Sequence, residues 1–142
     1  MADIKHTYQS LQVGDTYSFT RFISADDVHD FAKVSGDDNP IHVDPEYVAA
    51  STEFERPIVH GVFLLAVVSK VLGKDFPGYG SVAVAISSKF VRPVPVDSEI
   101  TVEVKIAEKI EKRKFVKARI YVYCGGKMAL GGEATLVPPS EE

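Results

Sequence analysis

VHGVFLLAVVSKVL, residues 59–72, is the stretch of this sequence that decides the fold. Its apolar residues cover every side of a helix instead of one stripe, which is typical of a helix surrounded by protein. At about 1.5 Å per residue such a helix is too short to cross a bilayer, and Ser69 and Lys70 interrupt its apolar run. The stretch therefore predicts a buried core helix and no membrane span.

Strand patterns follow this helix for the rest of the chain. They cover residues 81–91, 100–106, 116–122 and 128–137. The second and third alternate apolar and polar positions, and Gly125-Gly126 marks a turn before the last. Residues 16–23 predict one more strand. Strands in series beside one buried helix predict an α+β fold in which an antiparallel sheet wraps around the helix.

Between the first strand and the core helix the sequence carries helix signals. Ser24 is a good N-cap and Gly36 a good stop, so residues 25–35 predict a helix. Residues 36–44 contain Asn39-Pro40, which predicts an irregular, stiffened loop. Pro45 after Asp44 then predicts a short helical piece to residue 50.

Composition narrows the classes of function. With 142 residues, 45% of them hydrophobic and 25% charged, the chain predicts one globular domain over 1–142, with a tail that frays from about residue 138. The net charge of -4 gives no basic face for nucleic acid. Cys124 is the single cysteine, so an intramolecular disulfide is impossible, and the N-terminus lacks a signal-peptide pattern. These features predict a cytoplasmic protein.

Asp37 and His42 are the residues that could carry chemistry. Four residues separate them, in the loop stiffened by Pro40, and Asn39 can hydrogen-bond the neighbouring backbone. An aspartate and an imidazole that converge on one point make an acid and base pair. The alternative is a helix stop, an Asx-type turn and an incidental histidine, and the residues alone favour that alternative.

Gly61 opens the core helix without a capping residue at positions 58–60. A ligand oxygen could accept from its N–H, since the helix dipole favours negative charge there and glycine allows close approach. A tight-packing glycine explains the position equally well. His60 is interpreted as structural, and no spaced ligand motif supports a metal site of His42, Asp44 and His60; no metal is predicted.

Two blocks of sequence resemble a known family. FAKVSGDDNPIH at 31–42, with the VDP at 43–45 and the AA at 49–50, is similar to the signature of the MaoC-like, (R)-specific enoyl-CoA hydratases, and FERPIVHG at 54–61 is too. The resemblance implies a hot-dog fold. It also favours the acid and base pair over the interpretation as a turn with an incidental histidine. It places Asp37 and His42 on the catalytic pair, which activates water for addition to C3 of an enoyl thioester and delivers a proton to C2 from the same face. Which residue is the base stays open; the working hypothesis is that His42 accepts the proton from water, while Asp37 orients the water and relays a proton to C2.

The resemblance also implies the partners and the supporting residues. The substrate is an acyl thioester of coenzyme A or acyl carrier protein, the product is the (3R)-3-hydroxyacyl form, and no cofactor is expected. Ser69 matches a polar position in the family's central helix that lies near the catalytic loop; the alternative is a buried serine that bonds the carbonyl one turn back. Asn39 is the other supporting position, through its hydrogen bonds to the backbone. Both polyhydroxyalkanoate precursor supply and fatty-acid metabolism fit the family.

Three further expectations concern charge, assembly and rival functions. Lys89, Arg92 and Arg56 could meet the phosphates of coenzyme A, although surface charge is the default interpretation. A homodimer is expected, because one sheet around one helix leaves edges that a twofold partner can cover. The rival functions are a hot-dog thioesterase and a non-catalytic acyl-binding subunit.

Overall fold

A computed structural model describes residues 3–141 of the chain. The elements, in chain order, are β1 (Thr16–Ile23), α1 (Ala25–Ser35), α2 (Pro40–Val43), α3 (Pro45–Ser51), α4 (Gly61–Lys70), a π-helical turn (Val71–Asp75), β2 (Val82–Phe90), β3 (Ser98–Ile110), β4 (Phe115–Cys124) and β5 (Lys127–Val137). The five strands form one antiparallel sheet in the order β1-β3-β4-β5-β2.

The sheet wraps around α4, which confirms the predicted α+β fold and its hot-dog architecture. The alternating apolar residues of β3 and β4 lie opposite one another, with Val102 paired to Val122 and Val104 to Ile120, and all four are fully buried. Phe63, Leu64, Val67 and Val68 bring the buried side of α4 into the same core. Strict alternation thus places every second strand residue against the helix.

The central helix differs from its prediction in one respect. It begins at the predicted Gly61, but a stripe of Val62, Ala66 and Ser69 on it is exposed. Val62 is 52% exposed. These positions are four and three residues apart and share one helix face. The sequence pattern shows only that the helix is apolar on every side, not which surface covers each side.

The helices that precede α4 follow their sequence signals. Ser24 and Asp27 form a capping box at the start of α1, and Gly36 ends it in the left-handed region with φ 82°. Asp44 caps α3 by accepting from the N–H groups of Glu46 and Tyr47. The predicted loop after Gly36 contains one helical turn, α2, because Pro40 cannot continue a helix but fits its first position.

The two ends of the described chain contact each other. The segment after Val137 is predicted to fray, but the Tyr8 N–H donates to Pro139 O and the Glu141 N–H donates to Gln9 Oε1. None of the helices within residues 3–141 combines the length and the hydropathy that a membrane span requires.

Candidate active site

An extended segment just before α4 anchors the site. Ile58 forms an isolated antiparallel bridge with Pro95, and the Val59 N–H donates to Val94 O. The Ile58 N–H also donates to Ile41 O in α2. The turn that carries His42 is therefore held against the start of α4 by backbone hydrogen bonds.

His42 has a defined tautomer. Its Nδ1 lies 2.7 Å from Ile58 O, and since a carbonyl oxygen only accepts, Nδ1 carries the proton. Nε2 is then left with a lone pair. Burial lowers the pKa of the His42 imidazole below its ordinary value, and the hydrogen bond to Ile58 only partly opposes this. Near neutral pH the ring is a neutral base.

Asp37 is exposed and comes directly after the end of α1. Its Oδ1 accepts from the Asn39 N–H at 3.3 Å, and its N–H donates to Ser35 Oγ at 3.1 Å. Its backbone carbonyl accepts from Nε2 of His60 at 2.9 Å. The backbone of the residue is fixed, while its carboxylate keeps acceptor capacity.

The structure brings Asp37 and His42 together at one cavity, as predicted. One ligand atom each from Asp37, His42 and His60 lies within 4.8 Å of the other two. Asp37, His42, His60, Gly61, Phe90 and Arg92 are among the residues that line the cavity, which has a volume of about 440 Å³. A water placed roughly 2.8 Å from both catalytic candidates fits this separation.

The same three residues have the chemistry of metal ligands. The two imidazole rings, however, are stacked, with centroids 3.8 Å apart and planes 26° from parallel. Ring nitrogens bind metals through lone pairs in the ring plane, and those of stacked rings run side by side instead of converging. The arrangement fits proton transfer better than coordination of one ion by both histidines.

Gly61 opens α4 as predicted, and its N–H has no acceptor among residues 3–141. No side chain in the described part of the chain caps this helix end. A Cβ on Gly61 would lie 2.7 Å from Cε1 of Phe90, whose ring is 56% exposed. Glycine therefore keeps the helix start open to a close neighbour, either this ring or a ligand.

Of the two predicted supporting residues, Asn39 lies beside His42 and Ser69 lies away from the cavity. The Asn39 side chain accepts from the Ile41 N–H and so caps α2, which carries His42. Ser69 is exposed in the single chain and lies eight residues beyond Gly61, about 12 Å along the helix. It is absent from the cavity lining among the described residues.

The three cationic side chains expected near coenzyme A lie in three different places. Arg56 is committed to the fold, since its Nε donates to Val96 O and its Nη2 to Ser98 Oγ. Arg92 lines the cavity and donates from Nη1 to Met128 O. Lys89 lines a different groove, which it shares with Arg119 and Tyr121.

Sequence reasoning missed two residues of the site. His60, interpreted as structural, contacts both Asp37 and His42. Phe90 was not assigned to the site, although it reaches Gly61 from the end of β2. The VHG sequence at 59–61 places His60 beside Gly61, whereas nothing local relates Phe90 to a helix start 29 positions earlier.

Known proteins resemble this chain over most of its length. The family model of the MaoC like domain matches residues 9–123. An (R)-specific enoyl-CoA hydratase from Aeromonas caviae is 39% identical over 132 residues, which are 92% of this chain and 98% of that protein. A 3-hydroxybutyryl-CoA dehydratase from Methylorubrum extorquens is 37% identical over 95% of this chain and 85% of its own length.

Solved structures of (R)-hydratases are also similar to this chain. The (R)-hydratase from A. caviae involved in PHA biosynthesis superimposes with a TM-score of 0.89 at 39% identity, over 92% of this chain and 99% of that chain. An R-hydratase from Pseudomonas aeruginosa gives a TM-score of 0.90 at 35% identity, over 95% of this chain and 86% of its own. The extent of these matches shows that the chain belongs to the MaoC-like domain family.

Proposed function

We propose that this protein is a hydro-lyase that adds water to trans-2-enoyl-CoA and forms (3R)-3-hydroxyacyl-CoA. The observation that carries the proposal is the convergence of the Asp37 carboxylate and the His42 imidazole, whose proton is on Nδ1, on one cavity beside the N-terminus of α4. The near full-length relatives named (R)-specific enoyl-CoA hydratase support the reaction and its stereochemistry.

His42 acts as the base in this proposal. Its Nε2 takes a proton from a water held between it and Asp37, and the oxygen of that water forms a bond to C3 of the enoyl group. The electron pair of the double bond moves toward C2 and the thioester carbonyl. The hydrogen bond from Nδ1 to Ile58 O keeps the ring in the tautomer that this step requires.

Asp37 orients the water and returns the proton. The proton held by His42 passes to the carboxylate and from there to C2, so that one water has been added in full and both residues regain their starting states. Because one water and one pair of side chains serve both transfers, oxygen and hydrogen arrive on the same face of the substrate. Proton transfers alone complete the reaction, so no cofactor is required by it.

The Gly61 N–H is the proposed donor to the thioester carbonyl. This oxygen gains negative charge while C2 is carbanion-like, and an N–H at the start of a helix stabilises such charge. Within residues 3–141 this N–H has no acceptor and the helix end has no side-chain cap, which supports the assignment. Arg92, at the same cavity, is the cation placed best to meet a phosphate of coenzyme A.

Incubation with crotonyl-CoA tests the proposed function. Absorbance of the enoyl group should fall while a thiol reagent detects no free coenzyme A. Release of thiol would instead indicate a thioesterase. Saturable binding without turnover, over short to long chains and with acyl carrier protein substrates as well, would indicate a non-catalytic subunit.

Substitution of Gly61 by alanine should reduce kcat/KM at least about 10-fold and leave the protein folded. The added methyl would occupy space beside the N–H, and the three nearest atoms that it meets outside its own stretch of chain are ring atoms of the Phe90 side chain, not backbone. Steady-state kinetics and thermal unfolding measure the two effects. Gly73→Ala is the matched control, because a Cβ there meets nothing within 4 Å; equal activity of the two variants would remove Gly61 from the site.

A homodimer is the assembly that we propose. β2 is an edge strand of the sheet and mostly exposed, with Val82 at 59% and Val84 at 51%, and α4 carries its own exposed stripe. The contact of Phe90 with Gly61 makes the two surfaces continuous. Antiparallel pairing of two β2 strands about a twofold axis would cover both.

Substitution of Val84 by glutamate should therefore shift the protein from dimer to monomer, because it places a charge within the paired edges. Light scattering after gel filtration should give twice the chain mass of 15.5 kDa for the unmodified protein and the chain mass for the variant. Val34→Glu is the control, since Val34 is 87% exposed on α1. A monomeric unmodified protein would contradict the assembly.

The compartment and pathway complete the proposal. A chain with one cysteine cannot form an intramolecular disulfide, which suits the reducing cytoplasm. The structural relative involved in PHA biosynthesis supports the supply of (3R)-3-hydroxyacyl precursors. The relatives named 3-hydroxyacyl-[acyl-carrier-protein] dehydratase support fatty-acid metabolism equally, so acyl-CoA and acyl carrier protein substrates are both to be tried.

A further inference from the structure

His60 is a buried polar residue that touches both proposed catalytic groups. It is 1% exposed and precedes Gly61 at the start of α4. It donates through Nε2 to the backbone carbonyl of Asp37 at 2.9 Å. Its ring stacks on that of His42 at a centroid distance of 3.8 Å. A residue that only filled the core would need neither contact.

The hydrogen bond fixes the state of the His60 ring. A carbonyl only accepts, so Nε2 carries the proton, and Nδ1 has no hydrogen-bond partner among the described residues. Protonation of Nδ1 would leave a buried N–H donor without an acceptor, which is costly. The geometry therefore places the imidazole proton on Nε2.

The ring face of His60 has a separate effect from its N–H. It covers one side of the His42 imidazole, and Phe31 packs against His60 in turn at 4.9 Å. Covering His42 keeps water from that side of the base. Asp37 and His60 are the titratable groups that influence His42, and Arg92 lines the same cavity with its guanidinium on Met128 O.

We propose that His60 is a positioning residue that holds Asp37 by its N–H and His42 by its ring face, and so sets the distance between the two. The inference rests on the proposed function, since it explains how that reaction's pair is aligned. A small displacement of either partner is enough to slow proton transfer, because a shift of about 1 Å costs about 100-fold in rate.

Two substitutions separate the effects of the N–H and the ring face. His60→Phe keeps a ring against His42 but cannot donate to Asp37. It should lower kcat about 100-fold with little change in KM and leave the titration of His42 in place. His60→Gln keeps an N–H donor but lacks the ring. It should expose His42 to water, raise its pKa toward the ordinary value and move the acid limb of kcat/KM to higher pH.

The readouts are steady-state pH profiles and NMR titration of the His42 imidazole. Val68→Ala is the control for a loss of packing, because Val68 is fully buried in α4 and outside the cavity lining. It should lower thermal stability without moving either profile. Unchanged kcat in the phenylalanine variant, or an unchanged His42 titration in the glutamine variant, would overturn the proposal.

A further test uses the unmodified protein and so does not depend on whether a variant folds. Nitrogen-15 shifts of His60 should report the ring proton on Nε2, as its hydrogen bond to Asp37 O requires. A His60 that carries its proton on Nδ1 instead would contradict the assigned hydrogen bond. This measurement is independent of turnover, so its failure is distinguishable from failure of the hydratase assay.

Discussion

Replacing Asp37 with asparagine should reduce kcat for crotonyl-CoA hydration about 1,000-fold while the protein stays folded. The amide has nearly the same shape as the carboxylate and can still accept from the Asn39 N–H through its oxygen. The His60 hydrogen bond is made to the backbone and is retained. What is lost is the charge that orients water and the site that carries a proton to C2.

The comparison with Asp38→Asn makes the Asp37 prediction specific. Asp38 is the exposed neighbour in the same loop, and its substitution removes the same charge from the same surface. Kinetics and thermal unfolding of both variants are to be measured side by side. If the two variants keep similar, high activity, the carboxylate of Asp37 has no part in the reaction.

Replacing His42 with alanine should lower kcat by a similar factor of about 1,000, because the base that takes the proton from water is gone. Here some loss of stability is also expected. The substitution removes a hydrogen bond to Ile58 O and the stacking on His60, together about 1–2 kcal/mol. The fold should survive, since the His42 N–H still donates to Asn39 O in α2.

His29→Ala provides the matched control for His42, because His29 is exposed on α1 and lies outside the cavity lining. It should keep full activity over the whole pH range. The informative result is turnover per folded molecule, obtained from kcat together with circular dichroism. Substantial hydration by folded His42→Ala protein would show that another group removes the proton from water.

The fold was accessible to sequence reasoning wherever the signal was local. Alternation at 100–106 and 116–122 predicted β3 and β4, and Ser24 with Gly36 predicted the bounds of α1. The exposed stripe on α4 was not accessible, since periodicity reports polarity and not the identity of the neighbour. The exposure of Ser69 in the single chain belongs to the same stripe.

In the site as well, contacts between residues close in the sequence could be predicted, and contacts between distant residues could not. Asp37 and His42 lie in one short segment whose proline restricts the backbone, so their proximity could be predicted from the motif. The contacts of His60 and Phe90 depend on how the segment at 58–60 pairs with residues 94 and 95 and on where β2 ends. Such relations arise from tertiary packing and leave no periodic trace in the sequence.

Stereochemistry of hydration in D₂O tests the convergence of the Asp37 carboxylate and the His42 imidazole on one water most directly. Crotonyl-CoA is converted in D₂O, and the relative configuration at C2 and C3 of the product is read from proton NMR coupling. The arrangement predicts a single (3R) product in which deuterium and hydroxyl have added to the same face. Addition to opposite faces, or a mixture at C2, would contradict it.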